Sequence, residues 1–222
     1  MILVKLDWEG RQLKKITVYD LPVKVIAEIY YTYNDQGIRT QKIIDDSTGV
    51  YKYDYKLSGS QLIGEVKYLY DSVNLEWDLV YTIVYSYDFD GSPIGFTHVF
   101  SSGTKIDYIY VKNIQGDITH ILTAYGTEVV HYEYDAYGNI ININGSLASS
   151  VGAYNSLRYR GYKYDTEIKM YYLNSRYYNP EIGRFINADG LLGEFGNIQS
   201  TNMYAYCANN PVMHTDITGY AW

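Results

Sequence analysis

The chain has 222 residues, enough for one large domain or two small ones, and its formal net charge is −7. The acidic balance disfavours nucleic acid as a partner, because binding to a phosphate backbone requires a basic surface. Hydrophobic residues make up 47% and charged residues 19% of the chain, a composition that argues against disorder. No apolar run approaches ~18 residues, so we expect no membrane span, and the first residues lack the pattern of a signal peptide.

Cysteine and histidine usage limits the chemistry that the chain can perform. A single cysteine, Cys207, excludes an internal disulfide framework and a Cys-x-x-Cys zinc site, and its apolar neighbours indicate a small buried residue. The four histidines are scattered, without a His-Glu-x-x-His motif or a close pair, so the sequence predicts no metal site and no cofactor. These histidines are His98, His120, His131 and His214.

Tyrosine is the most unusual component of the sequence, with 29 residues against 5 Phe and 3 Trp. Tyrosine favours strands because it combines a large apolar ring with a polar tip. The 19 glycines and 4 prolines are typical of a chain with many tight turns. We therefore expect an all-β protein with little helix.

A repeated unit runs along the first two thirds of the chain. Alternating aromatic residues are followed by Asn or Asp, then Gly, then an aliphatic strand, most clearly at 30–39, 85–94, 108–118 and 132–140. Glycine allows the positive φ of a tight turn, and an Asn or Asp side chain can cap that turn. The pattern predicts tandem antiparallel β-hairpins with turn glycines at Gly10, Gly37, Gly59, Gly91, Gly116 and Gly138.

The alternating tyrosines allow two interpretations. Tyr132 and Tyr134 fall on one face of a predicted strand and Glu133 on the other, which is typical of packing against a sheet. The same rings could stack on sugars, which would make the chain a carbohydrate-binding module for cell-surface glycans. Packed tyrosines would be buried, whereas sugar-binding ones would form exposed pairs beside acids or amides.

The segment 144–153, with two Gly and three Ser, is predicted to be a loop. It would separate a strip of hairpins, 1–143, from a distinct C-terminal region, 154–222. This division is the domain organisation that we expect.

Five ordered motifs in the C-terminal region resemble the repeat-associated core domain of the RHS/YD-repeat family. They are YRGYKYD at 159–165, MYYLNSRYYNP at 170–180, GRFINAD at 183–189, NMYAYCANNPV at 202–212 and DITG at 216–219. The upstream hairpin units are similar to the YD repeats of the same family. The resemblance therefore extends over nearly the whole chain.

The resemblance implies a fold and a role. In this family the hairpins form one strip that spirals into a hollow shell, the core domain closes one end, and a variable, often toxic segment stays inside until delivery. Members include bacterial polymorphic toxins, encapsulating components of Tc toxin complexes, and animal teneurins. Because 222 residues allow at most ~20 strands, we expect a curved, partial spiral shell that is a fragment, a remnant or one half of an assembly.

Partners and location follow from the same resemblance. We expect a protein cargo or the remaining shell segments of a longer RHS protein as partners. A bacterial delivery system would place the chain at the cell surface or outside the cell, carried by another export system or as a piece of something longer.

Several family members cleave their own chain, and the resemblance implies candidate residues for that reaction. Asp189 and Asp216 would form a carboxyl pair in which one group activates water and the other polarises the carbonyl. Arg176 matches an arginine that the family needs for cleavage, and it could position a carboxylate or stabilise the oxyanion. The bond to be cut would be Tyr220–Ala221.

Three positions depart from the family pattern and leave the role of this site open. Gly190 and Ile217 stand where many relatives have Pro, which would fix φ and help to present the bond, and Tyr220 replaces the usual Leu. The chain could be a single-turnover aspartyl autoprotease, it could retain an idle site, or these residues could be ordinary turns with a paired surface charge at Arg176. His214 could act as a general base or be a solvated loop residue.

Overall fold

The protein is all-β, as the sequence predicts. In the computed structural model, twelve antiparallel strands form one sheet whose strand order follows the chain order, and four further strands form a second sheet. The remaining regular structure in the described part of the chain is one helical turn and two short 3-10 segments. The structure describes residues 2–20, 22, 24–190, 202–216 and 219.

The first sheet consists of consecutive hairpins. Its strands are β1 Ile2–Glu9, β2 Gln12–Asp20, β3 Lys24–Tyr33, β4 Arg39–Asp46, β5 Gly49–Ser58, β6 Gln61–Asp71, β7 Glu76–Tyr87, β8 Pro93–Phe100, β9 Lys105–Lys112, β10 Ile118–Thr123, β11 Glu128–Tyr134 and β12 Ile140–Asn144. The second sheet contains β13 Lys163–Asp165, β14 Met170–Leu173, β15 Arg176–Asn179 and β16 Arg184–Phe185. The helical turn α1 spans Val151–Tyr154 and overlaps the end of the segment 144–153 that was predicted to be a loop.

All six predicted turn glycines connect an odd-numbered strand to the next even-numbered one, and each has a positive φ, from 58° at Gly10 to 88° at Gly138. The turn at Asp135 shows how the sequence specifies this geometry. Its Oδ1 accepts the backbone N–H groups of Tyr137 at 2.8 Å and Asn139 at 2.9 Å, and its backbone carbonyl accepts from Gly138 at 3.1 Å. The same side-chain capping occurs at Asn34, Asp88 and Asn113. In each of these turns the side chain therefore satisfies backbone N–H groups of the same turn.

The chain packs into two compact units, one formed by Met1–Ser86 with Phe96–Ile106 and the other by Tyr87–Gly95 with Asp107–Trp222. The interior of the first unit includes charged and aromatic groups beside its aliphatic residues. Arg39 is 1% exposed and lies between the rings of Tyr31 and Tyr55, with its Cζ 4.9 and 5.2 Å from their centroids. Such cation–π contacts stabilise a desolvated guanidinium by about 2 kcal/mol or more.

The second unit has a core built mainly of tyrosine. Its central cluster contains Tyr159, Tyr162, Tyr171, Leu173, Tyr178, Phe185, Tyr206 and Cys207, none of them more than 6% exposed. Most of the rings pack edge to face or tilted, as at Tyr178 and Tyr206, whose centroids are 4.0 Å apart, and Tyr171 stacks on Tyr178. This cluster supports β13 to β16, the strands of the first three C-terminal motifs. The domain boundaries expected at 144 and 153 stay a prediction.

Candidate functional site

A tight hairpin places Arg176 in the second unit. Leu173 at the end of β14 pairs with Arg176 at the start of β15, and Asn174 between them has a φ of 57°. Asparagine tolerates this left-handed conformation better than most residues, which suits it to a two-residue turn. The Arg176 side chain is 2% exposed and therefore enters the interior of the unit.

The Arg176 guanidinium binds both candidate carboxylates at once. Nη1 lies 2.7 Å from Oδ2 of Asp189, and Nη2 lies 2.8 Å from Oδ2 of Asp216. Its Nε–H donates to the backbone carbonyl of Gly219, and Cζ lies 3.6 Å from the centroid of the Phe185 ring. The structure thus brings together all three side chains that the sequence singles out. The single positive charge of Arg176 offsets one of the two negative charges, and the guanidinium occupies one oxygen of each carboxylate.

Asp216 holds the chain immediately before the expected cleavage position. Its Oδ1 accepts the Gly219 N–H at 2.7 Å, and its own N–H donates to the Tyr162 hydroxyl at 3.2 Å. The Gly219 carbonyl also accepts a 2.6 Å hydrogen bond from Ser175 Oγ. Gly219 is therefore fixed at both its N–H and its C=O.

Only glycine fits at position 219. Its φ is +74°, and a Cβ atom there would lie 2.3 Å from the carbonyl oxygen of Leu173 and 2.7 Å from Ser175 Oγ. The glycine of the DITG motif is consequently required by the close contacts with Leu173 and Ser175. The next residues, Tyr220 and Ala221, and the bond between them lie outside the described residues.

The two carboxylates differ in exposure. The Asp189 side chain is 16% exposed and that of Asp216 is 1% exposed. Asp189 is oriented through its N–H, which donates to the Met203 carbonyl at 2.9 Å. Solvent water can therefore reach Asp189 but not Asp216 in this arrangement.

Sequence reasoning missed three supporting residues, although each lies in or beside a motif that it quoted. Ser175 and Tyr162 contact Gly219 and Asp216 as described above. Asn187 accepts the Tyr177 N–H at 2.9 Å and donates to the Ser175 carbonyl at 3.2 Å, which ties the GRFINAD segment to β15. Their positions in or beside the motifs indicated that they could belong to the site. Their roles as supporting residues depend on long-range contacts, which spacing along the sequence does not reveal.

Two further candidates from the sequence are not part of this cluster. The His214 side chain is exposed, as expected of a loop residue. Cys207 is 0% exposed, and burial raises the pKa of its thiol to about 11. A thiol held protonated in this way is a poor nucleophile.

The core tyrosines bind the last hairpin turn of the first sheet. The hydroxyls of Tyr159, Tyr178 and Tyr171 donate to three successive backbone carbonyls, those of residues 136, 137 and 138, at 2.9, 2.7 and 2.8 Å. The rings of this cluster are thus engaged in packing and their hydroxyls in backbone contacts. Stacking on cell-surface glycans receives no support from this arrangement.

Curated relatives share most of the length of this chain. It is 35% identical over 190 residues to the tRNA3(Ser)-specific nuclease WapA of Bacillus spizizenii and 36% identical over 192 residues to the tRNA nuclease WapA of Bacillus subtilis. Each match covers 86% of this chain but 7% of the relative. The toxin subunit YenC2 of Yersinia entomophaga is 38% identical over 69 residues, covering 31% of this chain and 7% of that protein. No family model matches the chain.

Solved structures share the fold over nearly the whole chain. The crystal structure of TcdB2-TccC3 has a TM-score of 0.78 at 22% identity, covering 97% of this chain and 10% of that one. The Photorhabdus luminescens Tc holotoxin pore has a TM-score of 0.76 at 22% identity, with the same coverages. Together with the hairpin repeats and the five ordered core motifs, these relatives show that the chain belongs to the toxin-related RHS/YD-repeat family.

Proposed function

We propose that this chain is the closing part of an RHS shell that encapsulates or presents a C-terminal protein cargo for toxin delivery. The observation that carries the proposal is the contact between the core tyrosines and the last hairpin turn, which joins the C-terminal motifs to the repeat sheet. A closing segment must be anchored to the strip in this way. The partners would be the cargo and further shell segments.

The location follows from the proposed role. A shell that delivers a toxin acts outside the bacterium that makes it, so we expect the chain to be secreted or held at the cell surface. No helix in the described residues is long and apolar enough to cross a bilayer. Fractionation of the producing cells tests the proposed location.

We also propose that the Arg176 cluster cuts the chain once, after Tyr220. The geometry that supports this is a buried guanidinium bound to two carboxylates and to the carbonyl of Gly219, one residue before the bond. Asp189 is the base, since it is the carboxylate that water can reach. Asp216 is a positioning residue, because it fixes the Gly219 N–H.

The proposed reaction is a simple hydrolysis. Asp189 takes a proton from water, and the water oxygen adds to the carbonyl carbon of Tyr220. Arg176, which binds the carbonyl of the preceding residue Gly219, would stabilise the negative charge on the carbonyl oxygen of Tyr220. Collapse of the intermediate breaks the C–N bond to Ala221, and the proton passes from Asp189 to the departing amine.

The test is the intact mass of the chain extended beyond Trp222 by a small folded reporter. We expect a break after Tyr220 that is lost in Asp189→Asn and Asp216→Asn. Asp90→Asn is the matched control, because Asp90 is an exposed turn residue far from the cluster in sequence. A full-length mass in every sample would refute the autoprotease and leave a structural cluster. The shell proposal fails separately if the chain does not associate with further RHS segments in a pull-down.

A further inference from the structure

The pairing of β10 with β11 brings together two histidines that are eleven residues apart in sequence. His120 lies directly opposite His131, and their rings are stacked with centroids 4.3 Å apart and an interplanar angle of 9°. Directly opposed residues of an antiparallel pair share one face of the sheet. Both imidazoles therefore project from the same face.

A β-bulge adds a carboxylate to this pair. Regular alternation from His131 would place Glu128 on the opposite face, three positions away. The register shifts between Ile121 and Leu122, so that Glu128 pairs with Leu122, which shares a face with His120. The bulge thus turns Glu128 towards the histidines, and its Oε2 lies 4.0 Å from Nε2 of His120.

Hydrogen bonding fixes which nitrogen of His120 is available. The Thr119 hydroxyl donates to the Val111 carbonyl at 3.2 Å, so its oxygen accepts from His120 Nδ1–H at 2.9 Å. In that tautomer the lone pair of His120 is on Nε2, the nitrogen that faces Glu128. An outer hydrogen bond of this kind orients histidine ligands in metal sites.

We propose that His120, Glu128 and His131 form a zinc site that clips β10 to β11. Two neutral imidazoles and one carboxylate are a donor set that zinc uses when a fourth position is left for water. The ligand atoms lie within 4.8 Å of one another. A tetrahedral zinc ion with bonds of about 2.0–2.1 Å holds its ligands about 3.4 Å apart, so small side-chain rotations would close the site.

The surroundings of the cluster suit a metal taken up from solution. The side chains of His120 and Glu128 are 30% and 51% exposed, which leaves both accessible without unfolding. Nitrogen donors favour zinc over magnesium and calcium, which prefer oxygen ligands. The site is independent of the Arg176 cluster, and its chemistry does not require the proposed cleavage.

The experiment is a calorimetric titration of the tag-free chain with Zn²⁺ at neutral pH. We expect one equivalent to bind, with visible absorption of four-coordinate cobalt when Co²⁺ replaces zinc, and no heat from Mg²⁺. His120→Gln, His131→Gln and Glu128→Gln should each weaken zinc binding at least ~10-fold. His214→Gln is the matched control, since His214 is an exposed histidine outside the cluster.

A second readout distinguishes lost binding from lost folding. Zinc that binds only the native state should raise the thermal midpoint of the wild type and not that of Glu128→Gln. Glu128 is exposed, so its amide variant should keep the native circular dichroism spectrum. The proposal is overturned if the wild type does not bind zinc, or if the ligand variants bind it as tightly as His214→Gln.

Discussion

The two units of the chain use tyrosine in different ways. In the first unit, besides the buried Tyr31 and Tyr55 that flank Arg39, several half-buried rings lie under lysine ammonium groups, as at Lys52 and Tyr68, where Nζ is 4.3 Å from the ring centroid. In the second unit, buried rings pack on one another and their hydroxyls donate to backbone carbonyls, as Tyr171 does to residue 138. A cation over a ring tolerates small displacements, whereas a buried hydroxyl needs one acceptor in one place. The positions of the tyrosine side chains are therefore more tightly constrained in the second unit than in the first.

We expect the largest difference between the two units in their unfolding at alkaline pH. Burial raises the pKa of Tyr171, Tyr178 and Tyr206 well above the ordinary value near 10. Because the unfolded chain loses these protons first, their stabilising contribution is complete below pH ~10 and falls above it, by about 1.4 kcal/mol per pH unit for each phenol. Loss of the lysine charges in the first unit removes only about 0.5–1 kcal/mol per exposed pair.

We therefore expect the second unit to unfold at a lower pH than the first. Hydrogen exchange measured across a pH series would show this order, after correction for the intrinsic exchange rate. Simultaneous loss of protection in both units would contradict the contrast between the two kinds of tyrosine.

A smaller contrast is expected between two turn glycines. Gly10→Ala should cost about 1–2 kcal/mol, the usual penalty for a side chain at positive φ, because a Cβ atom at Gly10 would meet nothing within 4 Å. Gly138→Ala should cost about 1–3 kcal/mol more, since its Cβ would lie 2.6 Å from the Tyr159 ring. Urea unfolding of the two variants measures the difference. Equal costs would show that the turn at Gly138 is not held against the core.

The smallest contrast compares two Tyr→Phe variants. Tyr171→Phe leaves the buried carbonyl of residue 138 without its 2.8 Å donor and should cost about 1–3 kcal/mol. Tyr68→Phe keeps the ring beneath Lys52 and should change the free energy of unfolding by no more than about 0.5 kcal/mol. The same denaturation experiment serves both, and a comparable loss in Tyr68→Phe would remove the distinction.

The sequence predicted the turns in which alternating aromatic residues precede Asn or Asp and then Gly, and it missed turns outside that pattern, including those that Asp46 and Asp71 cap with their side chains. Asp135 and Gly138 form a recognisable pair, and the structure confirms their hairpin turn. The turn at Gly126 has the same backbone bonds, with Gly126 N–H donating to the Thr123 carbonyl at 2.9 Å. Thr123 stands there in place of Asn or Asp and accepts the Thr127 N–H through its hydroxyl at 3.2 Å, a cap that the Asn/Asp pattern does not detect.

At the candidate sites, the sequence could not predict the contacts between residues that lie far apart along the chain. The motifs named Arg176 and Asp216, but they are forty residues apart, and only the folded chain shows that they are 2.8 Å from each other. His120 and His131 looked unrelated, because their meeting depends on the register of one hairpin and on a bulge within it. Strand register reflects packing of a whole face, which residue spacing alone does not determine.

The side-chain-capped turns also bear on how such a sheet changes over evolutionary time. Because the side chains of Asn34, Asp88, Asn113 and Asp135 each cap a backbone N–H within five residues, these caps do not depend on the neighbouring hairpin. A duplication or deletion of two strands would leave the remaining turns intact and keep the antiparallel alternation. The repeat is thus a unit of inheritance as well as of structure, and related proteins can differ in length by whole hairpins.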